Sequence, residues 1–307
     1  MAHTPLVSVY LPTHNRAALL QGAIASVLAQ EYRNLELIVV DDASTDGTAA
    51  VLSAAAEADP RVRALKRDHA GGPAAARNLA IRAARGDFIT GLDDDDRMLP
   101  GRIGTLLAAY RDDYSLVCSP AWIQGPRWAR PQFSGGKVIT LDDLLCRNEV
   151  GNQVLTRTAR LLEIGLFDER LAAWEDYDLW TRLVQRFGSA LRLAEPTFIC
   201  REDPQAARIS TSWRAPQGAL EYFERYRHSM TPLQHRSQRL MQCAISGRPM
   251  RLDEARACWG PGTRRQVVRT WVSSNAPWSR TLRDAWWRWR WPASRLPRKP
   301  TLPAPGH

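Results

Sequence analysis

Up to about residue 118 the chain alternates short runs of β-branched and aliphatic residues with longer stretches rich in Ala and Leu, and this alternation restricts the fold more than any single motif. Residues 7–11, 35–40, 62–66, 88–92 and 115–118 have the length and composition of strands, and residues 17–30, 48–58, 74–85 and 102–110 read as helices between them. Gly47 and the Gly71-Gly72-Pro73 turn mark two helix approaches. A helix between consecutive strands returns the chain to the end of the sheet where it started, so the strands pair in parallel. The expected fold class is α/β, a Rossmann-like, mostly parallel sheet flanked by helices.

Beyond residue 118 the pattern changes. Residues 120–136 are rich in Pro, Gly, Trp and Arg and read as a loop. Helical periodicity returns at 141–147 and 176–187, where Tyr177, Trp180, Val184 and Phe187 share a face that suits a core better than chemistry. After about residue 219 no strand pattern remains, and loosely helical segments lead into a Pro-rich tail at 292–307. The expected division is a catalytic domain over 1–218, with halves at 1–118 and 119–218, and a mainly helical extension over 219–307.

In an open α/β sheet, ligands bind beyond the carboxyl ends of the strands. Three strand ends here are unusual. Pro12-Thr13-His14-Asn15-Arg16 follows the first, Asp41-Asp42-Ala43-Ser44-Thr45-Asp46-Gly47 the second, and Asp93-Asp94-Asp95-Asp96 the fourth. Four adjacent carboxylates repel one another, a cost that a divalent cation offsets. Mg²⁺ or Mn²⁺ on one or two carboxylates, with water and phosphate oxygens in the other positions, suits a nucleotide substrate. The plain structural alternative is a solvated acidic turn with one Asp capping the next helix, and the position after an apolar strand favours the metal. Asp46 or Thr45 can cap the helix after the second strand. That leaves Asp41 and Asp42 without an evident structural duty and suits them to hydrogen bonding a base or ribose. His14 and Arg16 read as packing or hydrogen-bonding residues, neither base nor ligand.

The runs Val7 to Arg16, Ser26 to Gln30, Leu37 to Gly47, Ala76-Arg77-Asn78, Gly86 to Asp96 and Trp174 to Trp180 occur in that order over roughly residues 5–200. Together they resemble family 2 of the GT-A glycosyltransferases. The resemblance implies an inverting enzyme that moves a sugar from a nucleotide diphosphate sugar to an acceptor hydroxyl, in cell-surface polysaccharide or glycan synthesis. The nucleotide sugar then belongs to residues 1–118 and the acceptor to 119–218. Thr13 and Asp42 are similar to the family's nucleoside contacts, and Arg77 to a donor contact. Asp93 and Asp95 match its D-x-D motif, with Asp95 the more direct metal ligand; Asp94 and Asp96 stay open as contributors. Glu175-Asp176 matches the E-D pair, in which Asp176 is similar to the general base and Glu175 falls on the acceptor side.

The chemistry accounts for these residue types. As the anomeric carbon gains oxocarbenium character the diphosphate leaves as an anion, so positive charge at the phosphates stabilises the transition state. A hydroxyl attacking from the opposite face needs a carboxylate to take its proton. Asp176 begins a helix whose N-terminus would hold it ionised, as a base must be.

The formal charge of +10 is uneven: residues 1–200 carry 22 Lys and Arg against 25 Asp and Glu, and residues 201–307 carry 20 against 7. The basic excess therefore belongs to the last third and points to an anionic surface. On a helix over 277–291, Trp278, Leu282, Ala285, Trp286 and Trp289 share a face, Trp287 and Trp291 widen the apolar side, and the arginines lie largely elsewhere. This suits an interfacial membrane helix, or equally one docked on the catalytic domain through its Trp face.

No run reaches the roughly 20 apolar residues of a membrane span, and no leader-like segment precedes residue 6. Five dispersed cysteines without a C-x-x-C pair suggest neither a disulfide framework nor a zinc site. The expected setting is the cytoplasm, peripheral on the inner face of a membrane, with a saccharide or lipid-linked acceptor and no nucleic acid. Among other functions, a nucleotidyltransferase would want a Gly-rich basic loop after the first strand, and a phosphatase-like enzyme a nucleophilic Asp there. A non-catalytic nucleotide-sugar-binding relic is opposed by the presence of every expected carboxylate.

Overall fold

The computed structural model describes residues 4–202, 214–276 and 278–290. Strands β1 (Val7–Thr13), β2 (Leu35–Asp41), β3 (Val62–Lys66) and β4 (Phe88–Gly91) pair in parallel in the order β3-β2-β1-β4. Both faces of β1 and β2 are buried. Val7, Val9, Leu11, Leu37 and Val39 enter one apolar cluster and Tyr10, Ile38 and Val40 the other, which is why these strands read as continuous apolar runs. Helices α1 (Ala17–Leu28), α2 (Thr48–Ala58) and α4 (Arg102–Ala109) cover the first face through Leu20, Ile24, Leu52 and Leu106. Helices α3 (Gly72–Ala83), α5 (Leu141–Cys146), α6 (Thr158–Glu163) and α7 (Glu175–Phe187) cover the other. On α7, Tyr177, Trp180 and Val184 are buried and Phe187 packs at the margin of the same core.

Past β4 the sheet continues with strands outside the early alternation. Strand β10 (Val154–Arg157) runs antiparallel to both β4 and β6 (Val117–Cys118), followed by β11 (Ala190–Arg192) and β9 (Lys137–Ile139). A second sheet has the order β5 (Arg97–Met98), β12 (Phe198–Arg201), β7 (Ala121–Gln124) and β8 (Ala129–Pro131). Residues 120–136 are therefore not simply a loop but contain the β7–β8 hairpin. The partner that satisfies β7 on its other edge is β12, with Phe198 opposite Ala121, so pairing from far along the chain overrides the local Pro/Gly composition.

The remaining described residues are helical. Helix α8 (Arg214–Tyr226) packs on α7, with Tyr222 stacked on Tyr177 at 4.1 Å and Arg225 bonded to Asp168 and Asp178 at 2.7 Å. Helices α9 (Pro232–Ile245), α10 (Leu252–Cys258) and α11 (Arg264–Asn275) enclose a small cluster of Leu240, Met250, Cys258 and Val267. Helix α12 (Trp278–Arg290) follows. On α12, Trp287 does not widen the apolar stripe. It lies about 180° from Trp278 on the helix and turns inward, its ring 4.9 Å beneath the Arg130 guanidinium of β8. Trp291 and the Pro-rich tail fall outside the described residues. Among the described residues, no helix is long and apolar enough to cross a membrane.

Candidate active site

Because β1, β2 and β4 are parallel, the segments that follow them emerge at one edge of the sheet. Thr13, Asp42, Arg77, Asp93 and Asp95 accordingly line a single cavity of about 960 Å³, together with Glu175 and Asp176 at the start of α7. Asp41, which the sequence suited to a base or ribose along with Asp42, does not line this cavity.

The four aspartates are not left to repel one another. Arg16 donates to Asp94 at 3.0 Å and to Asp95 at 3.1 Å, and Arg77 donates to Asp93 at 2.9 Å. Thr13 adds its hydroxyl to Asp94 at 2.8 Å. Asp96 is buried, accepts from the Arg201 amide at the end of β12, and is anchored there by the second sheet. None of the four caps α4, whose first turn lacks a side-chain cap. Burial pushes the Asp94 carboxyl up to about 6, against the pull of Arg16. Burial also raises Asp96 well above the usual carboxylate range, with Asp93 and Asp95 adding repulsion.

Asp41 and Asp42 do have structural duties. Asp41 accepts from the Ser44 amide at 2.8 Å and shapes the turn after β2. Asp42 accepts from the Gly72 amide at 2.7 Å, the Gly71 amide at 3.0 Å and Arg67 at 2.9 Å, and so ties the start of α3 to the end of β2. Gly72 has φ +85°, a backbone state that a side chain would disfavour and that allows two successive amides to face one carboxylate. Neither Asp46 nor Thr45 is the N-cap of α2, a position taken by Gly47; Asp46, one residue earlier, accepts from the Thr48 amide at 3.0 Å and also holds the Ala17 amide at 3.1 Å.

Arg77 joins the two halves of the cavity. Its guanidinium bonds Asp93 on one side and Glu175, 98 residues later, at 2.7 Å on the other, with the Phe167 ring 5.4 Å away. Burial works against its charge, but Asp93 and Glu175 outweigh that and hold it firmly protonated.

The sequence family described as Glycosyl transferase family 2 matches residues 8–158. The putative colanic acid biosynthesis glycosyl transferase WcaA of Escherichia coli (strain K12) is 34% identical in an alignment that covers 74% of this chain and 83% of WcaA. The chain belongs to glycosyltransferase family 2. A GalNAc(5)-diNAcBac-PP-undecaprenol beta-1,3-glucosyltransferase of Campylobacter jejuni is 32% identical over 58% of this chain and 60% of its own length. In fold, the chain is similar to S. aureus TarS in complex with UDP-GlcNAc, with TM-score 0.57, 20% identity, and coverage of 82% of this chain and 69% of that one. It is similar also to the mannosyltransferase PcManGT from Pyrobaculum calidifontis in complex with GDP-Man and Mn²⁺, with TM-score 0.58, 19% identity, and coverage of 92% and 80%. The architecture is GT-A, and the chain is a nucleotide-sugar glycosyltransferase.

In this glycosyltransferase, Asp176 departs from the expectation that its helix N-terminus keeps it ionised. Part of the residue opens to the cavity, yet its carboxyl is closely surrounded by protein. That burial, joined by the negative charge of Glu175, outweighs Arg77 and the Tyr177 amide, which donates at 2.7 Å, and pushes it up to about 7. Trp174, just before the pair, is held at φ +65°, an uncommon state for a bulky residue, and packs against Tyr177 and Tyr222.

One further cavity residue escaped the sequence reading. Asn152 donates to Asp93 at 3.1 Å, whereas Arg16, read as a hydrogen-bonding residue, holds Asp94 and Asp95. The search along carboxyl ends of strands misses Asn152 because β10 is antiparallel to β4, so its amino end is the one that meets the acidic loop. The polar run Asn148-Glu149-Val150-Gly151-Asn152 before an apolar strand was the available signal.

Proposed function

We propose that the enzyme transfers a sugar with inversion, using Asp176 as general base and a divalent cation, Mg²⁺ or Mn²⁺, carried by Asp95 and Asp93. The observation behind this reading is that the acidic loop and the Glu175-Asp176 pair face one cavity and share one guanidinium, that of Arg77. No three His, Cys, Asp or Glu side chains form a ready-made metal cage among the described residues. Two carboxylates that otherwise lean on Arg16 and Arg77 fit a cation that takes its other ligands from water and phosphate. When bound, such a cation supplies positive charge against the leaving diphosphate. Mn²⁺ in PcManGT supports that assignment.

Thr13 and Asp42 contact the nucleoside, with Arg67 as the partner that Asp42 releases or shares. Arg77 exchanges its bond to Asp93 for the donor phosphates and keeps Glu175, which orients the acceptor side. Asp176 accepts the acceptor's hydroxyl proton; its raised proton affinity suits it to take that proton, and lying near neutrality still lets it pass the proton on to solvent. Residues 1–118 form the donor half, 119–218 the acceptor half, and 219–307 the extension. The acceptor is a saccharide or lipid-linked saccharide of cell-surface polysaccharide synthesis, as the names of WcaA and the Campylobacter enzyme suggest, met at the inner face of a membrane where the chain is peripheral.

The test is a thermal-shift screen of nucleotide sugars with and without Mn²⁺, followed by NMR of the product anomer. A nucleotide sugar that stabilises the chain only with metal and yields the inverted anomer supports the reading; a retained anomer overturns it.

A further inference from the structure

The C-terminal helices present a surface that the catalytic chemistry does not use. On α12, Trp278, Leu282, Trp286 and Trp289 fall within an arc of about 80°. They remain 64%, 61%, 48% and 78% exposed. The inward contact is made instead by Trp287 on the opposite side, against Arg130. Trp287 therefore holds the helix against β8 while its apolar stripe stays exposed. Arg288 and Arg290 flank that stripe on its two sides, both exposed.

The same appendage has a second apolar opening, a groove of about 570 Å³ between α10 and α11 lined by Leu252, Trp259, Val268 and Trp271. Around it Arg256, Arg264, Arg265 and Arg269 are exposed. Exposed apolar surface of this extent is poorly matched to water, and exposed arginines rim it. It matches the headgroup and acyl boundary of an anionic bilayer, where Trp sits at the interface and Arg meets phosphate.

We infer that α12, with the adjoining face of α10 and α11, docks the enzyme on an anionic lipid bilayer, the Trp278/Leu282/Trp289 stripe entering the interface while Trp287 fixes the helix to β8. This rests on the proposal that the enzyme works at a membrane and names the surface that performs it. It sets the catalytic cavity at a defined orientation to the lipid, held through Arg130 and the second sheet.

The experiment uses the full chain with vesicles of phosphatidylcholine and phosphatidylglycerol, read by co-sedimentation and by quenching of Trp fluorescence with brominated lipid. The expected result is salt-sensitive binding with quenching. The triple variant Trp278→Ser, Leu282→Ser, Trp289→Ser should partition about tenfold less or weaker still, and Arg264→Gln, Arg265→Gln, Arg269→Gln should lose several-fold affinity at low salt only. Unchanged nucleotide binding by both variants confirms that they fold. Wild-type binding retained in full by the Trp/Leu variant would sink the surface assignment and leave membrane association standing. No binding by the wild type, with a dimer in solution that the Trp/Leu variant converts to monomer, would overturn both and make the stripe a contact between copies.

Discussion

The catalytic cavity and the C-terminal appendage invert each other's rules. In the cavity, charge is buried and almost every charged group is answered by another, Arg16 by Asp94 and Asp95, Arg77 by Asp93 and Glu175, and Asp42 by Arg67 and two amides. In the appendage, apolar side chains and several arginines are exposed. Low-dielectric surroundings make the first set mutually dependent, so one change there propagates through its partners. The second set is nearly independent of the fold, and its energetics appear only when something covers it.

The hardest break of that contrast is Asp176→Asn. It keeps the shape but cannot accept a proton, so turnover should fall roughly 10²-fold or more while nucleotide-sugar affinity stays near that of the wild type. Single-turnover rates alongside calorimetry check the split, and near-normal turnover would reject Asp176 as base. Next comes Asp95→Ala, which should weaken Mn²⁺-dependent nucleotide diphosphate binding by about tenfold or more while leaving metal-free binding alone. Calorimetry with and without Mn²⁺ reads this, and equal affinities would move the metal to another carboxylate.

A smaller effect concerns acidity. With Asp176 near 7 through burial and Glu175, a base that must be ionised predicts kcat/KM rising about tenfold per pH unit below that value and levelling above it. Glu175→Gln removes a negative neighbour and should move the inflection to lower pH. An inflection that ignores this change would dissociate the profile from Asp176. The smallest effect belongs to the appendage: Trp289→Ser, at a position 78% exposed, should alter folding stability by no more than about 0.5 kcal/mol. A large loss in urea unfolding would show that the stripe is covered in solution and erase the contrast.

How much of this was legible beforehand follows from distance along the chain. The first four strands and their helices appear in the order and nearly at the limits expected, because each carries its own apolar period. The β7–β8 hairpin, β10 and the small second sheet did not show, because each depends on partners far away and one of these strands, β5, is only two residues long. Among site residues, Thr13, Asp42, Arg77, Asp93, Asp95, Glu175 and Asp176 were all named by motif and strand-end reasoning, and the structure brings them to one cavity. Asn152 was not, since its relevance comes from an antiparallel neighbour 59 residues from Asp93.

The sequence alone determined the alternating sheet, the carboxylates at its strand ends, the family and the basic, Trp-rich tail. These are properties of residues and their near neighbours. Only the tertiary structure decided that Arg16 and Arg77 answer the acidic loop and that Asp42 holds α3. It also decided that Asp176 is pushed toward neutrality and that Trp287, not the stripe, faces the body. Those outcomes depend on desolvation and on charges brought together from opposite ends of the catalytic region, and neither has a local signature for a sequence to carry.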